Sequence, residues 1–317
     1  MKQRKNLWPL LYGLVLTLFT AYVLLDAFVI PRSYAAQTDA LAGTQTSQTQ
    51  TAAAAVSAVS ETSGTQTSQT AQTSQATVTD TSYSGSGVSI TITQYREYDT
   101  AIYVADVTLA SADSLKTAFA QGTYGKNITA ATSAIASEAG AILAINGDYY
   151  SGRSGCVIRN GVLYRDTSGD SSQQDLVIYA DGSFAIVNEG DTTGQALLDA
   201  GAQQVLSFGP ALLESGEISV SENEEVDRAK TSNPRTAIGV IDALHYVFVV
   251  SDGRTDESAG LSLYQLAEFM QTLGVRTAYN LDGGGSSTMV FNGTVVNQPT
   301  TNGRIGERKV SDIVYIG

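Results

Sequence analysis

The sequence predicts an α+β (mixed α/β) protein, in which a single strand-rich domain with a mixed twisted sheet and a few packed helices follows a transmembrane helix and a disordered linker. Turn dipeptides such as Asn160-Gly161 and Asp181-Gly182 separate short runs of β-branched and aromatic residues, a pattern typical of hairpins. Helical periodicity is limited to a few segments. The clearest begins with the capping pair Ser262 and Gln265 and ends at Gly274.

We predict the helices and strands of the domain, residues 88–317, from the periodicity of its apolar residues and from helix start and stop signals. They are strands at 88–92 and 102–109, helices at 114–120 and 131–139, a strand at 141–145, a strand pair within 237–250, the capped helix up to Gly274 and a strand at 275–281. The last strands surround a turn at Asn292-Gly293. Many strands and few helices are therefore expected.

The amino-terminal region has the pattern of a membrane anchor. Residues 1–7 form a basic tail that carries Lys2, Arg4 and Lys5, and residues 8–30 form an apolar run. About 20 such residues cross a bilayer as a helix, and the positive flank remains in the cytoplasm. The run is longer than a usual signal-peptide core, which favours an uncleaved signal-anchor over cleavage near residues 33–36. We therefore expect a single-pass protein of the cell membrane with its carboxyl-terminal domain outside, on a bacterial cell surface.

Residues 31–87 are rich in Ser, Thr, Gln and Ala, and the heptapeptide GTQTSQT occurs at residues 43–49 and again at 64–70. Such a composition buries too little apolar surface to offset the entropy lost on ordering. The segment is predicted to be a disordered linker.

Composition restricts the partners and the kinds of catalysis that the chain can support. The chain has 317 residues and a formal net charge of -13, so nucleic acid is not an expected partner. Its one cysteine, Cys156, excludes an intrachain disulfide. Its one histidine, His245, leaves little room for histidine-based catalysis or for zinc sites. Catalysis must then use carboxylates, hydroxyls and arginines.

The stretch NLDGGGSSTM at residues 280–289 is the strongest candidate site. Asp282 follows a predicted strand, and open α/β sheets usually bind ligands at the carboxyl ends of strands. The amides of Gly284 and Gly285, with Ser286 and Ser287, are suited to hold phosphate or sugar oxygens. A glycine-rich hairpin loop is the alternative interpretation.

An internal repeat extends this site. GAILAINGD at residues 140–148 and GVRTAYNLD at 274–282 share Gly, Ala, Asn and Asp at equal spacing, and both follow a predicted helix. Asn146 and Asp148 of one unit therefore correspond to Asn280 and Asp282 of the other. If the two strands are close, the four side chains converge on one cleft, as acid–base or nucleophilic work on a sugar requires.

Several motifs together resemble the phosphodiester glycosidase family, and the resemblance covers residue 141 to the carboxyl end. They are NGDYY (146–150), GP (209–210), NPRT (233–236), SDGR (251–254), the helix at 260–274 and NLDGGGSS (280–287). The order of the motifs matches that family. The chain differs from many relatives at Asp148 and Tyr149, where they carry a small residue and Phe.

The resemblance implies an extracytoplasmic hydrolase that cleaves a sugar-1-phosphodiester in cell-wall or exopolysaccharide glycans and leaves a phosphomonoester on the acceptor. Asp282 would attack the anomeric carbon or activate water, with Asp252 or Asp148 as its partner. Arg235 with Thr236, and secondly Arg254, would bind the phosphate, and Asn146 and Asn280 would contact substrate. This mechanism requires no cofactor, although Ca²⁺ or Mg²⁺ can be accommodated.

Two alternatives remain open. The clustered Asp residues suit a metal-assisted phosphodiesterase that breaks the P–O bond. A glycan-binding module without catalysis would also use such a cleft.

Overall fold

The computed structural model describes residues 8–37, 76–167, 172–224 and 232–317. Within these ranges the α-helices of six residues or more are α1 (Trp8–Phe28), α2 (Thr132–Ala139), α3 (Gly194–Asp199) and α4 (Leu263–Thr272).

Strands make up most of the remaining regular structure. In chain order they are β1 (Arg32–Ser33), β2 (Thr77–Val78), β3 (Ser82–Gly85), β4 (Val88–Glu97), β5 (Thr100–Leu109), β6 (Leu115–Phe119), β7 (Gly125–Lys126), β8 (Leu143–Asn146), β9 (Val157–Arg159), β10 (Val162–Arg165), β11 (Gln174–Tyr179), β12 (Phe184–Asn188), β13 (Ala202–Leu206), β14 (Ala211–Glu214), β15 (Glu217–Ile218), β16 (Arg235–Asp242), β17 (His245–Ser251), β18 (Thr277–Asn280), β19 (Met289–Phe291), β20 (Thr294–Val295), β21 (Thr300–Thr301), β22 (Arg304–Ile305) and β23 (Asp312–Ile316).

Three large sheets carry the fold. One has nine strands in the order β15-β14-β18-β16-β17-β5-β4-β3-β2, and two have five strands each, ordered β10-β9-β13-β11-β12 and β20-β19-β8-β23-β6. The α+β class predicted from the sequence is confirmed. The expectation of one mixed sheet is wrong, because all strand pairs among the described residues are antiparallel and they form several sheets.

The nine-stranded sheet is the central layer because both of its faces are apolar. On β17, Phe248 and Val250 belong to the core shared with the two five-stranded sheets, while Val247 and Val249 pack in a second core with helix α4. This alternation follows from the two-residue period of a strand. Helix α2 covers the outer face of the sheet that contains β8, and α3 covers the outer face of the other five-stranded sheet.

Local signals placed two helices well. Ser262 and Gln265 form the predicted capping box of α4, and α2 ends at Gly140, whose φ of 67° is the left-handed conformation that glycine adopts at low cost. The helix expected at 114–120 is wrong. That segment is β6, in which Leu115 and Thr117 are buried at alternate positions and each residue pairs with β23, so tertiary pairing overrides local helix propensity.

The amino-terminal segment contains the predicted apolar helix, but the linker that follows it has different bounds from those predicted. Helix α1 is apolar and exposed, and within the described ranges it alone is long and apolar enough to cross a membrane. The linker predicted at 31–87 is too long at both ends. Residues of β1 pair with β7, and the hairpin β2–β3 extends the nine-stranded sheet beyond β4. The basic tail and residues 38–75 lie outside the described residues.

Candidate active site

The two repeated units place their strands in different sheets, yet the strand ends meet. Strand β18 lies in the nine-stranded sheet and β8 in a five-stranded sheet. The side-chain Nδ2 of Asn146 donates to the carbonyl oxygen of Asp282 at 2.6 Å, and the Asp282 amide donates to the carbonyl oxygen of Gly147 at 3.2 Å. Asn146 therefore fixes the backbone on which Asp282 is carried. Thr236 donates to Asn146 Oδ1 at 2.8 Å and completes this support.

Asp282 is held by a cation that the sequence analysis did not identify. Arg308 Nη2 donates to both carboxylate oxygens of Asp282, at 2.9 and 2.8 Å, and Ser286 Oγ donates to Oδ2 at 2.7 Å. The Asp282 side chain is 11% exposed and the Arg308 side chain 46% exposed, so the pair lies at an opening. Burial raises the pKa of Asp282 above its usual range, and Arg308 and Ser286 oppose that rise.

The glycine turn after Asp282 permits close approach of two guanidinium groups. A Cβ atom on Gly284, whose φ is +64°, would lie 3.0 Å from Arg254 Nη2. Arg308 Nη2 also reaches the turn and donates to the carbonyl oxygen of Gly283 at 3.0 Å. Arg254 is itself oriented by Asn233 Oδ1, which accepts from its Nε and Nη2 at 3.1 and 2.7 Å. Two positive charges thus contact the turn, as an anion site requires.

Gly285 packs against strand β21. A Cβ on Gly285 would lie 2.6 Å from Thr301 Oγ1, and its carbonyl oxygen accepts from the Arg308 amide at 2.9 Å. The turn is therefore fixed to the segment that carries Arg308. Ser287 is fully buried, and its Oγ has no hydrogen-bond partner within the described part of the chain.

Asp252 is connected to the same turn through Asn297. Its Oδ1 accepts from Asn297 Nδ2 at 3.1 Å and from the Gln298 amide at 2.8 Å, and Asn297 also donates to the carbonyl oxygen of Ser287 at 3.0 Å. Tyr103 hydrogen-bonds to the same carboxyl group. Burial raises the pKa of Asp252, and these donors oppose the rise.

Arg235 and Asn280 lie behind the turn. Arg235 is 3% exposed, its amide donates to Ser251 Oγ at 2.9 Å, and its Nε donates to the carbonyl oxygen of Leu261 at 2.9 Å. Asn280 is fully buried and donates to the carbonyl oxygen of Gly209 at 2.7 Å. Both side chains hold loops together around the strand ends.

Asp148 does not join Asp282. Its carboxylate is fully buried and accepts from Arg159 Nη2 at 2.8 Å, and the Ser207 amide donates to its second oxygen at 2.7 Å. Arg159 also pairs with the buried Asp312 at 2.8 Å. Burial and the neighbouring Asp148 charge raise the pKa of Asp312 to about 7. Of the four side chains that were expected to converge, Asn146 contacts Asp282 through the backbone carbonyl of that residue. Asp148 instead forms a structural ion pair with Arg159.

The residues that sequence reasoning missed are Arg308, Asn297 and Tyr103, and Asn233 entered only as part of the NPRT motif, without a role. Arg308 is 26 positions from Asp282 in the chain, and no local pattern links the two residues. Within the described ranges, no group of three or more His, Cys, Asp or Glu side chains is arranged to hold a metal ion.

A carboxylate that is largely buried, paired with arginine and adjacent to a glycine turn is a candidate catalytic group, and glycosidases use carboxylates in this role. The sequence model of the phosphodiester glycosidase family matches residues 139–317. The chain belongs to the phosphodiester glycosidase family.

Curated relatives are similar to parts of the chain. N-acetylglucosamine-1-phosphodiester alpha-N-acetylglucosaminidase of Mus musculus is 34% identical over 109 residues, which are 31% of this chain and 21% of the relative. The SPbeta prophage-derived protein YomE of Bacillus subtilis (strain 168) is 28% identical over 145 residues, 45% of this chain and 22% of the relative. The chain thus spans 21–22% of the length of these two relatives.

Solved structures share the fold. The zebrafish N-acetylglucosamine-1-phosphodiester alpha-N-acetylglucosaminidase catalytic domain, which is auto-inhibited by its pro-peptide, superposes with a TM-score of 0.58 at 23% identity and covers 72% of this chain and 82% of that one. A hypothetical protein from Synechocystis gives a TM-score of 0.51 at 17% identity over 73% of this chain and 62% of that one.

Proposed function

We propose that the protein is an extracytoplasmic hydrolase that cleaves sugar-1-phosphodiester bonds in cell-wall or exopolysaccharide glycans. The sugar is released, and the acceptor keeps a phosphomonoester. The observation that carries this proposal is the Asp282 carboxylate, which is held by Arg308 and Ser286 at an opening beside the glycine turn. Membership of the phosphodiester glycosidase family supports it.

Asp282 is proposed to act at the anomeric carbon, as a nucleophile or by activating water. Both roles need the ionised carboxylate. Burial raises the pKa of Asp282, and Arg308 opposes that effect and so favours the ionised form. Ser286 fixes the orientation of the carboxylate because its hydroxyl donates to Oδ2 at 2.7 Å.

The leaving group is a phosphate, which is a weak base and needs little help from a general acid. Stabilisation of its negative charge contributes more. Arg254 and Arg308 both contact the glycine turn and are exposed enough to reach an anion. We assign the phosphate to these two guanidinium groups and the Gly285 amide, since the Gly284 amide already donates to the carbonyl oxygen of Pro234 at 2.8 Å. Arg235 supports this position from behind the turn.

Asp252 is the partner carboxyl group in this proposal. Its burial raises its pKa, and a carboxyl group that keeps its proton more readily suits proton transfer. Asn297 connects it to the backbone of Ser287, so Asp252 and the turn are held in one hydrogen-bonded unit.

Labelled water provides the test. The substrate is the p-nitrophenyl diester of N-acetylglucosamine 1-phosphate, hydrolysed in H₂¹⁸O. Cleavage of the C–O bond places the label in the sugar hydroxyl and yields p-nitrophenyl phosphate. Label in the phosphate would instead support the P–O phosphodiesterase, and loss of turnover after treatment with a chelator would support a requirement for Ca²⁺ or Mg²⁺. Binding without turnover across a panel of such diesters would indicate a glycan-binding module.

We also propose that helix α1 anchors the protein in the cell membrane with the domain outside. Its length and apolar composition support this. Protease added to intact cells should release the domain. Recovery of the full-length chain from the medium, or its protection inside the cell, would contradict this location.

A further inference from the structure

A cavity lies apart from Asp282 and is lined by other residues. Its volume is about 270 Å³, and its walls include Tyr34, Tyr124, Tyr150, Ser151, Lys126 and Arg165. None of these residues contributes a side chain to the proposed active site. The size is close to the lower limit of ordinary small-ligand sites.

Two basic side chains, Lys126 and Arg165, line the cavity. Among the described residues, neither Lys126 nor Arg165 forms an ion pair with a carboxylate. Arg165 is held in place by carbonyl oxygens, including that of Tyr150 at 3.1 Å from its Nη1. Two cations that line one cavity without a carboxylate partner among the described residues, in a chain with a net charge of -13, point to an anionic ligand.

The rest of the wall is aromatic. The rings of Tyr124 and Tyr150 stack with centroids 5.0 Å apart, and the ring of Tyr34 lies 6.0 Å from that of Tyr124. Tyr150 bonds through its hydroxyl to the backbone of Gly125, which keeps its ring fixed. An aromatic body with a polar tip, next to Lys or Arg, is the composition found where proteins meet lipid headgroups.

The cavity is tied directly to the end of helix α1. Asn127 Nδ2 donates to the carbonyl oxygen of Ile30 at 3.0 Å, strand β1 pairs with β7, and the Tyr34 amide donates to the carbonyl oxygen of Tyr124 at 3.0 Å. Tyr34 follows the last helical residue, Phe28, by six positions, a span of at most about 20 Å even for extended chain. The cavity is thus held close to the membrane surface that α1 would enter.

We propose that this cavity binds the phosphate-bearing headgroup of an anionic membrane lipid, with Lys126 and Arg165 as the phosphate ligands and the tyrosines around the glycerol. The inference goes beyond hydrolysis at Asp282 and rests only on the proposed membrane anchoring. A bound headgroup would fix the orientation of the domain on the bilayer.

The test uses the full chain reconstituted in vesicles of phosphatidylglycerol and phosphatidylcholine in equal amounts. Sedimentation of these vesicles in carbonate first establishes anchoring separately. The protein is then extracted in detergent, and retained lipids are identified by native mass spectrometry. We compare wild type with Lys126→Gln, the charge-preserving Lys126→Arg, and the control Lys116→Gln, since Lys116 lies elsewhere and donates to the carbonyl oxygen of Gly317.

Wild type, Lys126→Arg and Lys116→Gln should retain phosphatidylglycerol in preference to phosphatidylcholine, and Lys126→Gln should retain about fivefold less, the factor that one basic residue near an anionic surface contributes. Equal retention of the two lipids by wild type, or unchanged retention by Lys126→Gln, would overturn the proposal. Displacement of the lipid by sn-glycerol 1-phosphate at equal concentration would show that the site takes a soluble phosphate, and would overturn the assignment to lipid.

Discussion

Replacement of Arg308 by Gln tests the site most directly, because no local sequence pattern pointed to this residue. Gln removes the positive charge and keeps an amide donor on a shorter side chain. In the wild-type structure Arg308 contacts both oxygens of Asp282 and the carbonyl oxygen of Gly283, and its Nε donates to Ser286 Oγ at 2.8 Å. We expect a large loss of activity with a small loss of stability.

The expected loss of stability follows from the exposure of Arg308, and the expected loss of activity follows from its charge. The Arg308 side chain is 46% exposed, so solvent screens the ion pair and its contribution to the free energy of unfolding is about 1 kcal/mol or less. Stabilisation of charge that develops on the leaving phosphate is larger, about 3 kcal/mol, which corresponds to roughly a hundredfold in kcat/KM.

The pH profile gives a second, independent readout. Arg308 opposes the rise in the pKa of Asp282 that burial causes. Its removal therefore raises that pKa further, and a larger share of Asp282 is protonated at acidic pH. If the ionised carboxylate is the active form, the acidic limb of the kcat/KM profile of Arg308→Gln should move to higher pH. A role confined to folding would leave that limb in place.

The assay is hydrolysis of the p-nitrophenyl diester of N-acetylglucosamine 1-phosphate, with phosphatase coupling to release nitrophenol. Arg304→Gln is the matched control, since Arg304 lies on the exposed strand β22 and has no ion pair among the described residues. It should behave as wild type. Wild-type kcat/KM together with an unshifted acidic limb in folded Arg308→Gln would refute the assignment of Arg308 to the site.

Three further predictions concern the buried charges. Asp282→Asn keeps the shape of the side chain but not its basic oxygen, so kcat/KM should fall by about a hundredfold or more with unchanged thermal unfolding; turnover at the wild-type rate would remove Asp282 from the mechanism. Arg159→Met leaves two buried carboxylates without their cation, and denaturant unfolding should show a loss of about 3–5 kcal/mol; a loss below 1 kcal/mol would mean that the ion pairs contribute little. Burial and the nearby Glu189 raise the pKa of Asp175 to about 9, so the stability from its protonated form is present below pH 4 and declines as the pH rises toward 9. The melting temperature of Asp175→Asn should therefore fall less between pH 6 and pH 9 than that of wild type, and equal slopes would contradict the assigned cause.

The sequence was informative about the fold wherever a local signal was strong. The capping box at Ser262, the stop at Gly140 and the hairpin at Asn160-Gly161 each depend on residues a few positions apart, and each is confirmed. Segment 114–120 was predicted as a helix because its own residues favour one. It is a strand because β23, almost 200 positions later, offers it an edge. Pairing at that distance leaves no periodic trace in the segment itself.

The candidate site was likewise predicted where the signal was local and missed where it depended on residues distant in the chain. Asp282 was identified from its position between a strand and three glycines, and the repeat correctly linked Asn146 to it. The matching carboxylate, Asp148, turns toward Arg159, which lies on a different sheet and has no counterpart in the other unit. Arg308, the cation partner of Asp282, follows two short strands near the end of the chain. Only the folded arrangement brings Arg308 to Asp282.

The pairing of β1 with β7 has a consequence for the distance between the domain and helix α1. Arg32 and Ser33 are paired with Lys126 and Gly125, and Arg32 follows Phe28, the last helical residue, by four positions. Four positions of extended chain span at most about 14 Å. The domain is therefore attached within one short connection of the helix end, and the chain before residue 34 sets that distance.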